Sequence, residues 1–222
     1  MPARLRPTAP IADDAILVGD PGRALMLAQE LLQEPKMSNH ARGLWGYSGF
    51  THQGRELTIQ ATGMGGPSAA VVLHDLAELG VRRAVRVGTA TSLGDLDLGE
   101  ILVVEAVQPL PGSFVVDNRT TEPRNPPRPD QALTGRLREA LPEARTGSVV
   151  SLDRLQRHLP DRDLEADAAD MQTAGLLAAA VELGVAVAAL LVVTELGGGG
   201  VLAEEAMEAA AKRAGTAVVT VL

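Results

Sequence analysis

The stretch Val185 to Val193 is nine unbroken apolar residues. A strand with one wet face alternates apolar and polar side chains, so this run reads as a strand covered on both faces, with helices above and below the sheet. Shorter strands of the same kind are followed by turns and helix-period segments. Ala15 to Val18 stops at Gly19 and Asp20, and Pro21 opens a run with Ala24, Leu27, Ala28, Leu31 and Leu32 at helical spacing. Asp20 suits an N-cap, and Pro21 the first helical position, where a missing N–H costs nothing. Leu57, Ile59 and Ala61 alternate as in a strand, GMGGPS turns the chain, and Ala69, Val72, Leu73, Leu76 and Ala77 mark a helix that ends at Gly80. Ala84 to Gly88 and Ile101 to Val107 are further strands, Leu133 to Leu141 a helix, Gly147 to Leu152 a strand, and Asp167 to Leu183 an Ala-rich helix capped by Gly184. AVVTVL at the end has strand propensity, yet Met207, Ala211, Ala214, Val218 and Val221 keep a helical period, which favours one C-terminal helix running through Gly215. The alternation predicts a single α/β domain over residues 1–222, with helices on both faces of a largely parallel sheet. Residues 108–130, with six prolines and no periodicity, read as a long surface loop within it.

The formal charge of −8 disfavours a nucleic-acid partner, and no apolar run reaches the ~20 residues of a membrane span. With no cysteine and four scattered histidines, His40, His52, His74 and His158, neither thiolate nor histidine metal sites are expected. The N-terminus MPARLRPTAP lacks the apolar stretch of a secretory signal, so the expected address is cytoplasmic.

Open α/β sheets bind ligands where turns leave the carboxyl ends of strands. GDPGR, Gly19 to Arg23, offers the free N–H groups and partial positive charge of a helix N-terminus, and Arg23 adds a guanidinium. A phosphate-sized anion fits there, and so does a plain capped helix with a solvated arginine. Arg86 is the sharper signal. In AVRVG, alternation places Ala84, Arg86 and Gly88 on one face and Val85 and Val87 on the other. Arginine rarely enters a core strand unpaired, so Arg86 is ion-paired, on an edge strand, or part of an oxyanion site with the hydroxyls and amides of GTATS. Arg42 by itself passes for a surface residue. TELGGGG, Thr194 to Gly200, lacks the Lys and Ser/Thr of a phosphate-binding P-loop and reads as a flexible flap. Glu195 within it is a general acid or base, an N-cap, or a solvated carboxylate.

In order along the chain, VGDPGRA, NHARGLWGYSGF, TGMGGPSAA with ELGVRRAVRVGTA, and ADMQTAG resemble the hexameric nucleoside phosphorylase family, which contains bacterial purine nucleoside phosphorylases and uridine phosphorylases. The likeness is dense from Ala15 to Val107 and thinner from Ser148 to Thr194. It implies a three-layer α/β/α fold with a twisted, mixed, largely parallel central sheet. It also implies a reaction without cofactor: inorganic phosphate, as co-substrate, attacks C1′ of a nucleoside through an oxocarbenium-like transition state, giving free base and α-ribose 1-phosphate. The resemblance assigns phosphate binding to Gly19, Arg23, Arg86 and Thr89. Arg42 would reach in from the adjacent subunit of a homo-oligomer built from dimers, up to a hexamer.

The catalytic roles implied are those of Arg86 at the phosphate and of Glu195 at the departing base, where the purine enzymes carry an acidic residue. Asp170, Met171 and Gln172 stand where the family reads Glu-Met-Glu and holds the ribose. An amide thus replaces the carboxylate that accepts the ribose hydroxyls, a loss on the order of 1 to 2 kcal/mol that implies lowered activity. Leu155, Gln156 and Thr194 fall at the base, whose identity, purine or uracil, stays open. Arg4 or Arg6 stands near the place of the family's sugar-contacting histidine. Gly43 replaces a glutamate that holds potassium in some uridine phosphorylases, and no metal is implied. Two alternatives remain: a hydrolytic nucleosidase of the same fold, against which three anion-binding arginines argue, and a non-catalytic descendant that binds nucleoside or phosphate.

Overall fold

The computed structural model describes residues 4–109, 127–153 and 164–222. Its strands are β1 (Asp14–Val18), β2 (Leu32–Asn39), β3 (Gly46–Thr51), β4 (Glu56–Ala61), β5 (Arg83–Ser92), β6 (Ile101–Pro109), β7 (Arg145–Ser151), β8 (Ala168–Asp170) and β9 (Ala186–Leu196). The helices are α1 (Pro21–Leu31), α2 (Gly66–Glu78), α3 (Gln131–Ala140), α4 (Thr173–Leu183) and α5 (Glu204–Val221). The strands form one mixed sheet in the order β2-β3-β4-β1-β5-β8-β7-β6-β9, with β9 also paired to β5. The strands β4, β1, β5 and β9 run parallel, as do β6, β7 and β8. The hairpin strands β2 and β3 and the pairs β5–β8 and β6–β9 are antiparallel. β9 follows β5 along its whole length on one edge, while β1 and then β8 share the other.

Side-chain alternation along these strands builds two cores. Val85, Val87, Ala188, Leu190 and Val192 face α1, α3 and α5, which contribute Leu27, Leu133, Leu137, Ala214 and Val218. Ala84, Ala90, Val187, Leu191 and Val193 face α2 and α4, which contribute Leu73, Leu76, Leu176 and Leu177. The nine-residue apolar run is therefore covered on both sides, and the three-layer expectation holds. On the second face α2 and α4 meet closely, because a Cβ at Gly175 would lie 2.7 Å from the Gly66 Cα.

Four local expectations need correction. Leu32 leaves α1 and begins β2, and neither β2 nor β3 was expected: LQEPKMSN has no clean alternation, since β2 is an edge strand interrupted by a register shift between Gln33 and Lys36. The Ala-rich segment from Asp167 does not enter the helix at once; Ala168–Asp170 form β8, because pairing with β7 and β5 overrides alanine's helix propensity. The strand ending at Val107 continues to Pro109, so Gln108 and Pro109 belong to β6 and not to the loop. Of that expected loop, residues 110–126 lie outside the described residues. Finally, the glycines after Glu195 close a turn instead of a free flap: Leu196 N–H donates to the Gly200 carbonyl at 3.1 Å, and Glu195 bridges to Val201.

The C-terminal segment is one helix, α5, as its helical period predicts. Gly215 has a packing reason there, since a Cβ would stand 3.0 Å from both Leu27 Cδ2 and Leu31 Cδ1 of α1. Alanine gains about 1 kcal/mol over glycine in a helix interior. For Gly215→Ala we expect this gain to be cancelled by crowding against α1, so that urea titration shows unchanged or lower unfolding free energy; a rise of about 1 kcal/mol would refute the close packing.

Candidate active site

Three chain segments converge at the carboxyl ends of the parallel strands. The first is the turn after β1. Asp20 caps α1, its Oδ1 accepting the Arg23 N–H at 2.8 Å, with Pro21 at the start of the helix. Arg23 is held on the first helical turn, half-buried, and its Nε is buried without any hydrogen-bond partner among the described residues. Burial lowers its pKa, Asp20 opposes that, and the positive charge of Arg86 lowers it further, so the two guanidiniums feel each other. A guanidinium stays protonated throughout.

The second segment is β5. Arg86 is 5% exposed and lies on the α2/α4 face, as alternation requires. Its guanidinium runs along the strand over Gly88, where a Cβ would stand 2.5 Å from Nη2 and 2.6 Å from Cζ. Nε donates to Thr173 Oγ1 at 3.2 Å, Nη1 to Gln172 Oε1, and Nη2 to Asp170 Oδ2 at 3.1 Å. Burial pushes its pKa down against the pull of Asp170. Three of the five guanidinium N–H groups are thereby used among the described residues.

The third segment is β8 and the start of α4. Asp170, 1% exposed, accepts from Ser151 Oγ at 2.5 Å, from Thr173 N at 3.0 Å and from Thr173 Oγ1 at 2.6 Å, besides its ion pair with Arg86. Gln172 is also buried. Its Nε2 donates to the carbonyls of Gly63 and Gly65 at 2.8 and 3.2 Å, while Oε1 accepts from Arg86 and lies 3.1 Å from Thr62 Oγ1. Its amide is consumed within the chain. Met171 between them is half-buried.

The remaining expected residues lie around this network. Gly19 follows β1, and Thr89 lies on the α1 side of β5 by alternation, partly exposed. A register shift between Ala90 and Thr91 skips Thr194 and sets Glu195 opposite Thr91, whose Oγ1 is 3.4 Å from Glu195 Oε2. Thr194 Oγ1 is 3.5 Å from the Ala90 carbonyl. Glu195 is exposed. Arg42 is exposed on the turn Ala41–Gly43 in a left-handed conformation (φ 58°), away from any ion pair among the described residues. Arg4 and Leu5 donate their backbone N–H groups to buried Asp75 of α2, and Arg6 donates to Asn39. Leu155 and Gln156 lie outside the described residues. Thr62, Ser151 and Thr173 escaped the sequence reading, because hydroxyls carry no local signal of a long-range partner.

A model of the phosphorylase superfamily matches residues 13–222. The chain belongs to that superfamily. Among curated relatives of the chain, the DeoD-type purine nucleoside phosphorylase of Oceanobacillus iheyensis is 37% identical over 97 residues, 43% of this chain and 41% of that protein. The one from Streptococcus pyogenes is 30% identical over 160 residues, 69% of this chain and 66% of its own. The match to the Oceanobacillus protein and others like it spans about two fifths of their length. Among solved structures, a purine nucleoside phosphorylase from Toxoplasma gondii in complex with immucillin-H superposes with a TM-score of 0.81 at 22% identity, covering 94% of this chain and 89% of that one. A uridine phosphorylase from Vibrio fischeri ES114 gives 0.79 at 22%, covering 96% and 92%. These likenesses establish the fold of this phosphorylase superfamily member.

Asp20 has two opposing effects, capping α1 and placing a negative charge beside Arg23. Asp20→Ser keeps a capping oxygen and removes the charge. If an anion sits at Arg23, the expected result is tighter phosphate binding by roughly twofold to fivefold, the range of an exposed charge pair, read by calorimetry. Weaker binding would place the anion elsewhere.

Proposed function

We propose that this chain is a pentosyltransferase that cleaves the N-glycosidic bond of a nucleoside with inorganic phosphate, releasing free base and α-ribose 1-phosphate. The observation that carries the reading is the pair Arg23 and Arg86: two guanidiniums within each other's field which, among the described residues, leave a buried Nε of the first without a partner and two N–H groups of the second unused. A multivalent oxyanion would accept from both sets of free donors at once. Gly19 and the α1 N-terminus add backbone N–H groups, and Thr89 a hydroxyl. The bound dianion would stabilise the cationic sugar in the transition state by charge, and Glu195 would assist the base as a general acid or base.

On this reading Arg42 completes the site of a neighbouring copy in a cytoplasmic homo-oligomer, and Asp170 and Met171 flank the sugar. Leu155, Gln156 and Thr194 are proposed at the base, which is a purine or uracil. Gln172 supplies no carboxylate and its amide is already engaged, so turnover is expected to be low. That same engagement favours a second reading, a nucleoside- or phosphate-binding protein without turnover.

The test is to incubate the chain with inosine, adenosine, guanosine and uridine, with and without phosphate, and to measure free base. Phosphate-dependent release supports the phosphorylase. Release without phosphate would indicate a hydrolase, and phosphate binding without release the second reading.

A further inference from the structure

We propose that Asn39 and Gln60 are positioning residues that act through Arg42, clamping its turn from two neighbouring strands so that the exposed guanidinium is presented in one fixed direction. The inference rests on the reading of Arg42 as a contributor to phosphate binding.

Asn39, Gly46 and Gln60 stand at one level on three adjacent strands, β2, β3 and β4, where Asn39 pairs with Gly46 and Gly46 with Gln60. Both amide side chains are fully buried, and both donate to the same acceptor, the Leu44 carbonyl: Asn39 through Nδ2, and Gln60 through Nε2 at 2.9 Å. Gly46 makes this possible. A Cβ there would lie 2.2 Å from Gln60 Oε1, so only glycine lets that side chain cross β3. Asn39 Oδ1 accepts the Arg6 N–H at 2.8 Å, which ties the N-terminal segment to the same clamp.

What the clamp holds is a turn of three residues in which Arg42 (φ 58°) and Gly43 (φ 69°) are both left-handed. A left-handed arginine is strained, and such strain persists only where the surroundings enforce it. Burying two amides to fix an exposed arginine that makes no ion pair among the described residues serves no packing purpose that Arg42 itself returns. Its side chain adds nothing to either core. The arrangement has the form of a support that reduces the conformational freedom an arginine loses on meeting an anion.

The experiment is a double-mutant cycle read on phosphate saturation. Asn39→Asp keeps the acceptor for Arg6 but sets a carboxylate against the Leu44 carbonyl. Gly43→Ala strains the turn where a Cβ meets nothing within 4 Å, and so leaves the core untouched. Each is expected to raise the KM for phosphate, on the order of tenfold for Asn39→Asp, with kcat for saturating phosphate changed much less. In an Arg42→Ala background neither should add a further loss. Losses that add to that of Arg42→Ala, or an unchanged phosphate KM in both single variants, would overturn the proposal. An Arg42→Ala chain with unaltered phosphate KM would instead overturn the shared-arginine reading, and the clamp's role with it. Gly43→Ala keeps the cycle decisive even where Asn39→Asp does not fold.

Discussion

Arg86→Met is expected to abolish phosphate-dependent base release and to lower the unfolding free energy by about 3–5 kcal/mol, the cost of leaving one partner of a buried ion pair uncompensated. The stability loss falls on Asp170, which is 1% exposed and would be left buried without its ion-pair partner. Ser151 Oγ and the Thr173 groups still donate to it, so the carboxylate is not bare, but they supply no positive charge. On the proposed function the activity loss has a different origin, the missing contact to phosphate. Charge-assisted bonds of this kind are each worth ~1.5–3 kcal/mol, or roughly tenfold to a hundredfold, and Arg86 has two N–H groups to offer. The two effects separate in the double variant Arg86→Met with Asp170→Asn. Urea titration should show part of the stability restored while base release stays absent. Recovery of activity in that chain would show that Arg86 serves only to neutralise Asp170.

Gly88→Ala tests the same guanidinium from its other side. The added methyl would stand 2.5 Å from Nη2, 2.6 Å from Cζ and 2.8 Å from Leu191 Cδ2, and real Cβ atoms do not approach so closely. The strand is fixed by β9 along one edge, so the guanidinium must yield, swinging away from Asp170. Overpacking of this sort costs about 1–3 kcal/mol. With the charge displaced from the anion, kcat/KM for phosphate should fall by roughly tenfold to a hundredfold. Gly94→Ala is the control, since a Cβ there meets nothing within 4 Å, and both stability and phosphate dependence should be unchanged. Equal kinetics for the two variants would show that Arg86 reaches its ligand by another path.

The sequence made some of this legible and hid the rest for physical reasons. The cap at Asp20, the face on which Arg86 lies and the two-sided burial of β9 all follow from local periodicity, which tertiary contacts here reinforce. The β2–β3 hairpin did not follow, because an edge strand half in water, with a bulge and Pro35, carries neither period. β8 was hidden inside an alanine-rich run whose intrinsic preference is helical, and only its partners on β5 and β7 reveal it. Likewise, the sequence carries no signal of why glycine stands at positions 46 and 88. Their function is to leave room for a side chain two residues away or on the next strand, and the chain alone does not print that distance. Arg42, Asp170 and Gln172 were singled out through resemblance to a family, not through any periodicity of their own.

The three-strand surround of β5 has a dynamic consequence. Amide protons of a strand paired along the whole of one edge, and at Arg83–Arg86 and Thr91–Ser92 on the other, are released to deuterium only when much of the domain opens. The wall that carries Arg86 should therefore be among the slowest-exchanging backbone in the molecule.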